Sequence, residues 1–198
     1  MSFVIWITGP SGAGKTTLVN ALAERFKKLG AGVEILDGDG IRSKLYPDLG
    51  FSRAEREMHN RVVIQMANLL VKNEVITLVS VIAPYKETRD TARAEIERFM
   101  EVYLNCPLEL RVQRDPKGLY AKAMRGEIEG LTGYDGVYEE PENPDLVLHT
   151  DKTRIEEQVD KVIERAIELG LLSEEFKEFK TTASTTSTNT ATESNPKD

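Results

Sequence analysis

The chain has 198 residues, with 26 Lys and Arg against 33 Asp and Glu and a formal net charge of -7. That length fits one domain, and an apolar share of 40% supplies a core; the acidic balance speaks against a nucleic-acid partner but leaves small anions open to local basic clusters. One cysteine excludes an internal disulfide, two histidines are too few for a Cys/His zinc site, and no apolar run reaches the roughly 20 residues of a membrane helix. Met1 to Val4 also lacks the basic region of a signal peptide, so a soluble cytoplasmic protein without a membrane partner is expected.

In chain order, Phe3 to Thr8 (FVIWIT) predicts a short buried strand. The segment after the loop that follows, KTTLVNALAERFKKLG, places apolar residues at Leu18, Ala21, Leu22 and Phe26, a helical spacing closed by Gly30. VEIL is a second strand ending at DGDG, GIRSKLY starts a short helix, and RAEREMHNRVVIQMANLLVKN predicts a long one, with Ser52 and Glu55 in capping-box spacing. VITLVSVIA is a continuous β-branched run, as in a strand covered on both faces. A helix from Lys86 to Arg98, a strand FMEVYL, a strand DLVLHT and a helix from Arg154 to Leu169 follow. Asp115 to Asn143, dense in Gly, Pro and charge, breaks the alternation and predicts an irregular lid. The Thr/Ser-rich stretch 181–198 has nothing to bury and predicts a disordered tail, leaving 1–180 as a single domain.

The loop GPSGAGKTT carries the chemistry. Gly9, Gly14, Lys15 and Thr16 fit G-x-x-x-x-G-K-[ST], with a strand before and a helix after, as the pattern requires. Its glycines let backbone N–H groups turn around phosphate oxygens at a helix amino end; Lys15 reaches the β- and γ-phosphates and the Thr16 hydroxyl ligates Mg²⁺. With strands and helices alternating, this predicts an α/β chain of three-layer P-loop NTPase fold: a parallel five-stranded sheet, helices on both faces, and a lid segment.

The loop leaves the acceptor open among a small-molecule kinase, a GTPase-type switch and a nucleotide-binding partner protein. DGDG satisfies D-x-x-G, but no room remains for a switch segment and N-K-x-D is absent; the later carboxylate and Gly spacing of a calcium loop is absent too. Ligands of a doubly wound sheet gather beyond the carboxyl ends of the strands, where Asp39 and Tyr85 fall. Asp39 is the candidate base for an attacking hydroxyl or a holder of metal-bound water; a helix N-cap is the alternative, and the two roles do not exclude each other. Arg42, Arg56, Arg89 and Lys117 could converge on one crevice from separate elements, as an anionic acceptor needs, although each alone also fits a solvated surface charge. Phe51, in DLGFS, either stacks on a base or pins its loop.

GPSGAGKTT, LDGDGIR, LGFSRAER, APYKETR and QRDPKGLYAKAMRGEIEGLTGYDGVYEEP, in this order, resemble the adenylylsulfate kinase family of sulfate assimilation; RDPKGLY with a following TG-x-D is far more specific than a phosphate loop. The resemblance implies transfer of the ATP γ-phosphoryl group to the 3′-hydroxyl of adenylyl sulfate by a Mg²⁺-dependent homodimer. It implies ATP binding by Gly9, Ser11, Gly12, Ala13, Gly14, Lys15, Thr16, Thr17 and Arg114, with Thr16 toward the metal and Lys15 and Asp39 catalytic. Around the acceptor it implies Asp39, Arg42, Phe51, Arg56, Ala83, Pro84 and Tyr85, with Lys117, Gly118 and Leu119 in the lid.

The chain departs from the family pattern at five positions. Ala83 stands where many members have a serine, phosphorylated in some, so only direct in-line transfer is left. His59 takes the place of the usual Asn three residues after Arg56, with Asn60 beside it; on a helix either could reach the site, Asn60 being preferred and His59 otherwise a surface residue. Leu131 replaces an aromatic that sandwiches the acceptor base, losing stacking on the order of 1 kcal/mol. Arg125 is shifted by one place and Gly40 replaces a common Asn, neither removing a reactive group. The alternative reading is a kinase of this fold for another hydroxyl acceptor, or a nucleotide-binding protein without turnover.

Overall fold

The computed structural model describes residues 2–176; the expected tail at 181–198 lies outside the described residues. Strands β1 (Val4–Thr8) and β3 (Ile76–Ser80) are buried at every position, as apolar runs without polar alternation must be when both faces are covered. With β2 (Val33–Asp37), β4 (Phe99–Asn105) and β5 (Leu146–His149) they form one parallel sheet in the order β2-β3-β1-β4-β5. Val4 of the central strand is in register with Thr77 on one side and Phe99 on the other.

Side chains of β1 alternate between two helical layers. Ile5 and Ile7 face α1 (Lys15–Lys28) and α7 (Ile155–Glu168), sharing a core with Leu18, Leu22, Phe26, Val162 and Ile163. Val4 and Trp6 face α3 (Arg53–Lys72) and α4 (Lys86–Glu95), with Val63, Ile64, Ala67 and Ile96. Each fully buried Leu or Phe stabilises this arrangement by about 1.5–3 kcal/mol. The expected capping box is present: Glu55 N–H donates to Ser52 Oγ at 3.4 Å, and Ser52 N–H donates to Glu55 Oε2 at 2.9 Å.

The structure departs from the sequence reading in three places. The helix starting at Lys86 ends at Glu95 rather than Arg98, because Ile96 turns extended and buries itself beneath it. The short helix after β2, α2 (Gly38–Leu45), begins earlier, capped by Asp37, whose Oδ2 accepts from Gly40 N–H at 3.3 Å. Two further helices, α5 (Leu108–Arg114) and α6 (Leu119–Met124), were not expected, and α6 lies inside the segment taken from composition to be irregular. Neither spans two full turns, too few for a visible periodicity, and α6 is nucleated from outside: the Asp115 carboxylate accepts from Tyr120 N–H at 3.1 Å and Ala121 N–H at 2.9 Å. No helix among the described residues is long and apolar enough to cross a membrane.

Because every strand runs the same way, all five carboxyl ends meet one rim. The phosphate loop follows β1, Asp39 follows β2, Ala83 follows β3, Arg114 closes the helix after β4, and Thr150 follows β5.

Candidate active site

On that rim lies a cleft of about 710 Å³, at the larger end of the usual range for ligand pockets. Ser11 to Thr17 line its middle. Gly9 and Gly12 have φ of 152° and 75°; a Cβ on them would come within 3.0 Å of the Leu104 carbonyl oxygen and 3.2 Å of the Arg111 carbonyl oxygen, so only glycine lets the loop run this close to its support. Gly14, left-handed at φ 103°, starts α1 without any side-chain cap, which leaves the first N–H groups of the helix for an anion. Lys15 Nζ donates to its own loop, to the Gly9 carbonyl at 2.7 Å and the Pro10 carbonyl at 2.8 Å. Burial pulls the Lys15 ammonium down to about 8 against the opposing charge of Asp39. Thr16 and Thr17 are exposed at the mouth.

With Asp37 serving as the cap, Asp39 is free of that duty and faces the loop from the first turn of α2. Its carboxylate accepts a charge-assisted hydrogen bond from Lys117 Nζ, brought over from the lid segment. Desolvation by the cleft walls works to raise the Asp39 pKa, but the Lys117 bond and the charges of Lys117 and Lys15 prevail and hold it below the ordinary carboxylate value. It is therefore ionised at neutral pH.

Beyond Asp39, two guanidinium groups flank an exposed ring. The Arg42 carbon lies 4.4 Å and the Arg56 carbon 5.4 Å from the centroid of Phe51, which is 67% exposed. Arg42 donates to the Leu49 carbonyl at 3.1 Å and to the Gly50 carbonyl; Arg56 donates to the Phe51 carbonyl at 2.7 Å and the Gly130 carbonyl at 3.2 Å. With five N–H groups each, both arginines keep donors for a ligand while ordering the loop that carries the ring.

His59 is not a surface residue: it and Asn60 are only 7% and 3% exposed, and both line the cleft. Asn60 donates to the Arg56 carbonyl at 2.8 Å and leaves Oδ1 without a partner; His59 Nδ1 is likewise buried and unpaired. Burial, and then the charge of Arg42, lowers the His59 pKa against the pull of Asp39, favouring a neutral ring. The i+3 and i+4 positions thus both face inward, where the sequence suggested a choice.

Ala83 and Pro84 line the cleft, whereas Tyr85 does not: its ring packs 4.7 Å from the Arg53 guanidinium. Lys117 and Arg114 line it, while Gly118 and Leu119 start α6 outside the lining, as Gly9 stays behind its loop. Leu131 is 9% exposed and folds into a turn of the lid, where Asp135 accepts from Gly130 N–H at 2.9 Å and Leu131 N–H at 2.7 Å. Arg89, expected at the crevice, is 2% exposed and absent from the lining: its guanidinium pairs with Glu101 at 3.2 Å beneath the loop.

Other contacts at the site join residues far apart in the chain. Arg111 donates to Tyr120 Oη at 3.0 Å and the Gly133 carbonyl at 3.1 Å, while Tyr120 donates to the Ser11 carbonyl at 2.8 Å, tying lid to phosphate loop. Arg114 bridges the Gly12 carbonyl at 3.4 Å and the Thr150 carbonyl at 3.1 Å, and the cleft continues past it along Thr150, Thr153, Ile155 and Gln158. Among the described residues no three His, Cys, Asp or Glu side chains cluster to hold a metal.

The adenylylsulphate kinase family model matches residues 1–149. A probable adenylyl-sulfate kinase of Archaeoglobus fulgidus is 67% identical over 152 residues, covering 77% of this chain and 98% of that protein. One from Pyrococcus abyssi is 62% identical over 170 residues, covering 86% and 98%. Among solved structures, the APS kinase of Mycobacterium tuberculosis in complex with AMPPNP and APS superposes with a TM-score of 0.79 at 40% identity, over 83% of this chain and 96% of that one.

Proposed function

The chain belongs to the adenylylsulphate kinase family, and from that premise we propose how its residues divide the work. It is an ATP-dependent kinase, and its reaction is transfer of the γ-phosphoryl group to the 3′-hydroxyl of adenylyl sulfate, giving 3′-phosphoadenylyl sulfate and ADP. The observation that carries the division of roles is a single cleft in which an ionised aspartate stands between a phosphate loop and an arginine-flanked aromatic ring.

The amide groups of residues 11–17 and Lys15 hold the ATP phosphates, Lys15 exchanging two loop carbonyls for phosphate oxygens. Arg114, with Thr150 and Gln158, borders the rest of that nucleotide. Phe51 stacks on the acceptor's adenine, Arg42 and Arg56 take its phosphosulfate through their unused donors, and Asn60, Ala83 and Pro84 shape the pocket wall. Asp39 accepts the proton of the attacking hydroxyl, after which the oxygen displaces ADP in line. Lys117, paired with Asp39, is placed to follow the charge as it moves to the transferred group. Alanine at position 83 has no hydroxyl to carry the phosphoryl group, so no covalent intermediate forms there.

Mg²⁺ suits this donor set. The Thr16 hydroxyl is exposed at the start of α1 and Asp39 is the one carboxylate facing the loop among the lining residues; an ion that keeps several waters and takes phosphate oxygens needs no protein cage. When bound, it neutralises charge on the β- and γ-phosphates. We also propose a single domain over 1–180, a cytoplasmic location and a homodimer, as the family resemblance suggests. The test is a coupled ADP-release assay with ATP and Mg²⁺ over a panel of acceptors. Release on adenylyl sulfate, and none on gluconate, shikimate or nucleoside monophosphates, is expected; release on one of those instead would replace the acceptor.

A further inference from the structure

Ala83 is the strained point of the acceptor pocket. Its φ of 42° lies in the left-handed region that a residue with a Cβ resists, and it is 1% exposed, so solvent does nothing to hold it. What does hold it is Arg89. Nη1 donates to the Ala83 carbonyl at 2.7 Å, Nη2 donates to the Glu139 carbonyl at 2.6 Å, and Nε lies 3.2 Å from Glu101 Oε1. Glu101 is anchored in turn, by Arg93 at 3.3 Å, and its own N–H donates to Asp145 at 2.7 Å. The far end of the lid is joined at the same place: Glu139 N–H donates to the Pro84 carbonyl at 2.8 Å, and its carboxylate accepts from Lys86 N–H at 2.6 Å.

We propose that Arg89 is a positioning residue that sets acceptor affinity: one planar fork spans the carbonyls of Ala83 and Glu139, holding the pocket wall in its strained form and fixing the end of the lid to it. Arg89 does not line the cleft, so it acts through the groups it holds rather than by touching substrate. A lysine can keep the charge opposite Glu101 but cannot bridge both acceptors, because its donors radiate from one nitrogen. The inference rests on the acceptor pocket assigned above, and it makes no claim on the phosphate loop, which Arg89 does not touch.

The test uses the full chain with ATP and adenylyl sulfate. Arg89→Lys is expected to raise the acceptor KM at least fivefold with the ATP KM within twofold of wild type, while unfolding stays cooperative. Adding Ala83→Gly to Arg89→Lys is expected to recover at least threefold of that loss, because glycine adopts φ 42° unaided. Equal shifts in both KM values, an unchanged acceptor KM, or no recovery by the glycine would overturn the proposal. Should Arg89→Lys not fold, Glu101→Gln loosens the same anchor, and a rise in acceptor KM alone is again required. A wild-type protein that releases no ADP on adenylyl sulfate overturns the functional reading beneath this one; an active wild type with an unaltered Arg89→Lys acceptor KM overturns only this inference.

Discussion

The two ends of the cleft are held by different means. At the phosphate end, nine consecutive residues fold on themselves: glycines permit the path, and Lys15 satisfies two carbonyls of its own loop. At the acceptor end nothing is consecutive. Side chains from α2, α3 and the lid are fixed by arginines reaching carbonyls 5 to 74 residues away. A contiguous loop is robust to changes elsewhere, whereas an assembled wall depends on each strut, so the two ends should fail differently.

The sharpest break comes where the ends meet. Asp39→Ala should lower kcat by about 10²–10⁴-fold, as removal of a general base does, and Lys15→Ala by about 10²–10³-fold, both with cooperative unfolding intact. Steady-state rates decide this, and a turning-over Asp39→Ala would strip the aspartate of its role as base. Phe51→Ala should raise the acceptor KM about tenfold, within the 1–3 kcal/mol of a stacked base, and leave the ATP KM unaltered. Because that ring is 67% exposed, the melting temperature should not move.

A pH titration separates the ends without mutation. The Lys15 ammonium titrates at about 8: below that value it is charged and attracts phosphate, above it the charge is lost. ATP binding measured by calorimetry should therefore weaken about tenfold between pH 7 and 9. A flat profile would mean that the lysine stays charged throughout. The smallest effect is expected at the start of α3, where Ser52→Ala removes the cap beneath Arg56. Unfolding should show a loss of about 1 kcal/mol, roughly 2–4 °C in melting temperature.

What could be read from the sequence follows the same divide. The phosphate loop and the Ser52–Glu55 cap are encoded within a few residues each, so spacing alone exposes them. In DGDG the sequence placed Asp39 at the cleft, and the structure adds that its neighbour Asp37, two residues earlier, takes the helix cap. Arg89 looked like its fellow arginines because its buried partner, Glu101, lies on another element. Leu131 sits in a turn set by Asp135, a local contact that its family position does not signal. Tyr120 ends the RDPKGLY motif, but its reach to the Ser11 carbonyl spans 109 residues, and Thr150 and Gln158 belong to no motif, so no local spacing reveals these contacts.

The central position of β1 also governs how the protein is made. Its neighbours are residues 76–80 and 99–105, so β1 has no edge to pair with until segments far along the chain are available. Until then the nucleotide cradle attached to it has no walls. Such non-local pairing is slow, and leaves a strand that ends up buried at every position uncovered until its partners arrive.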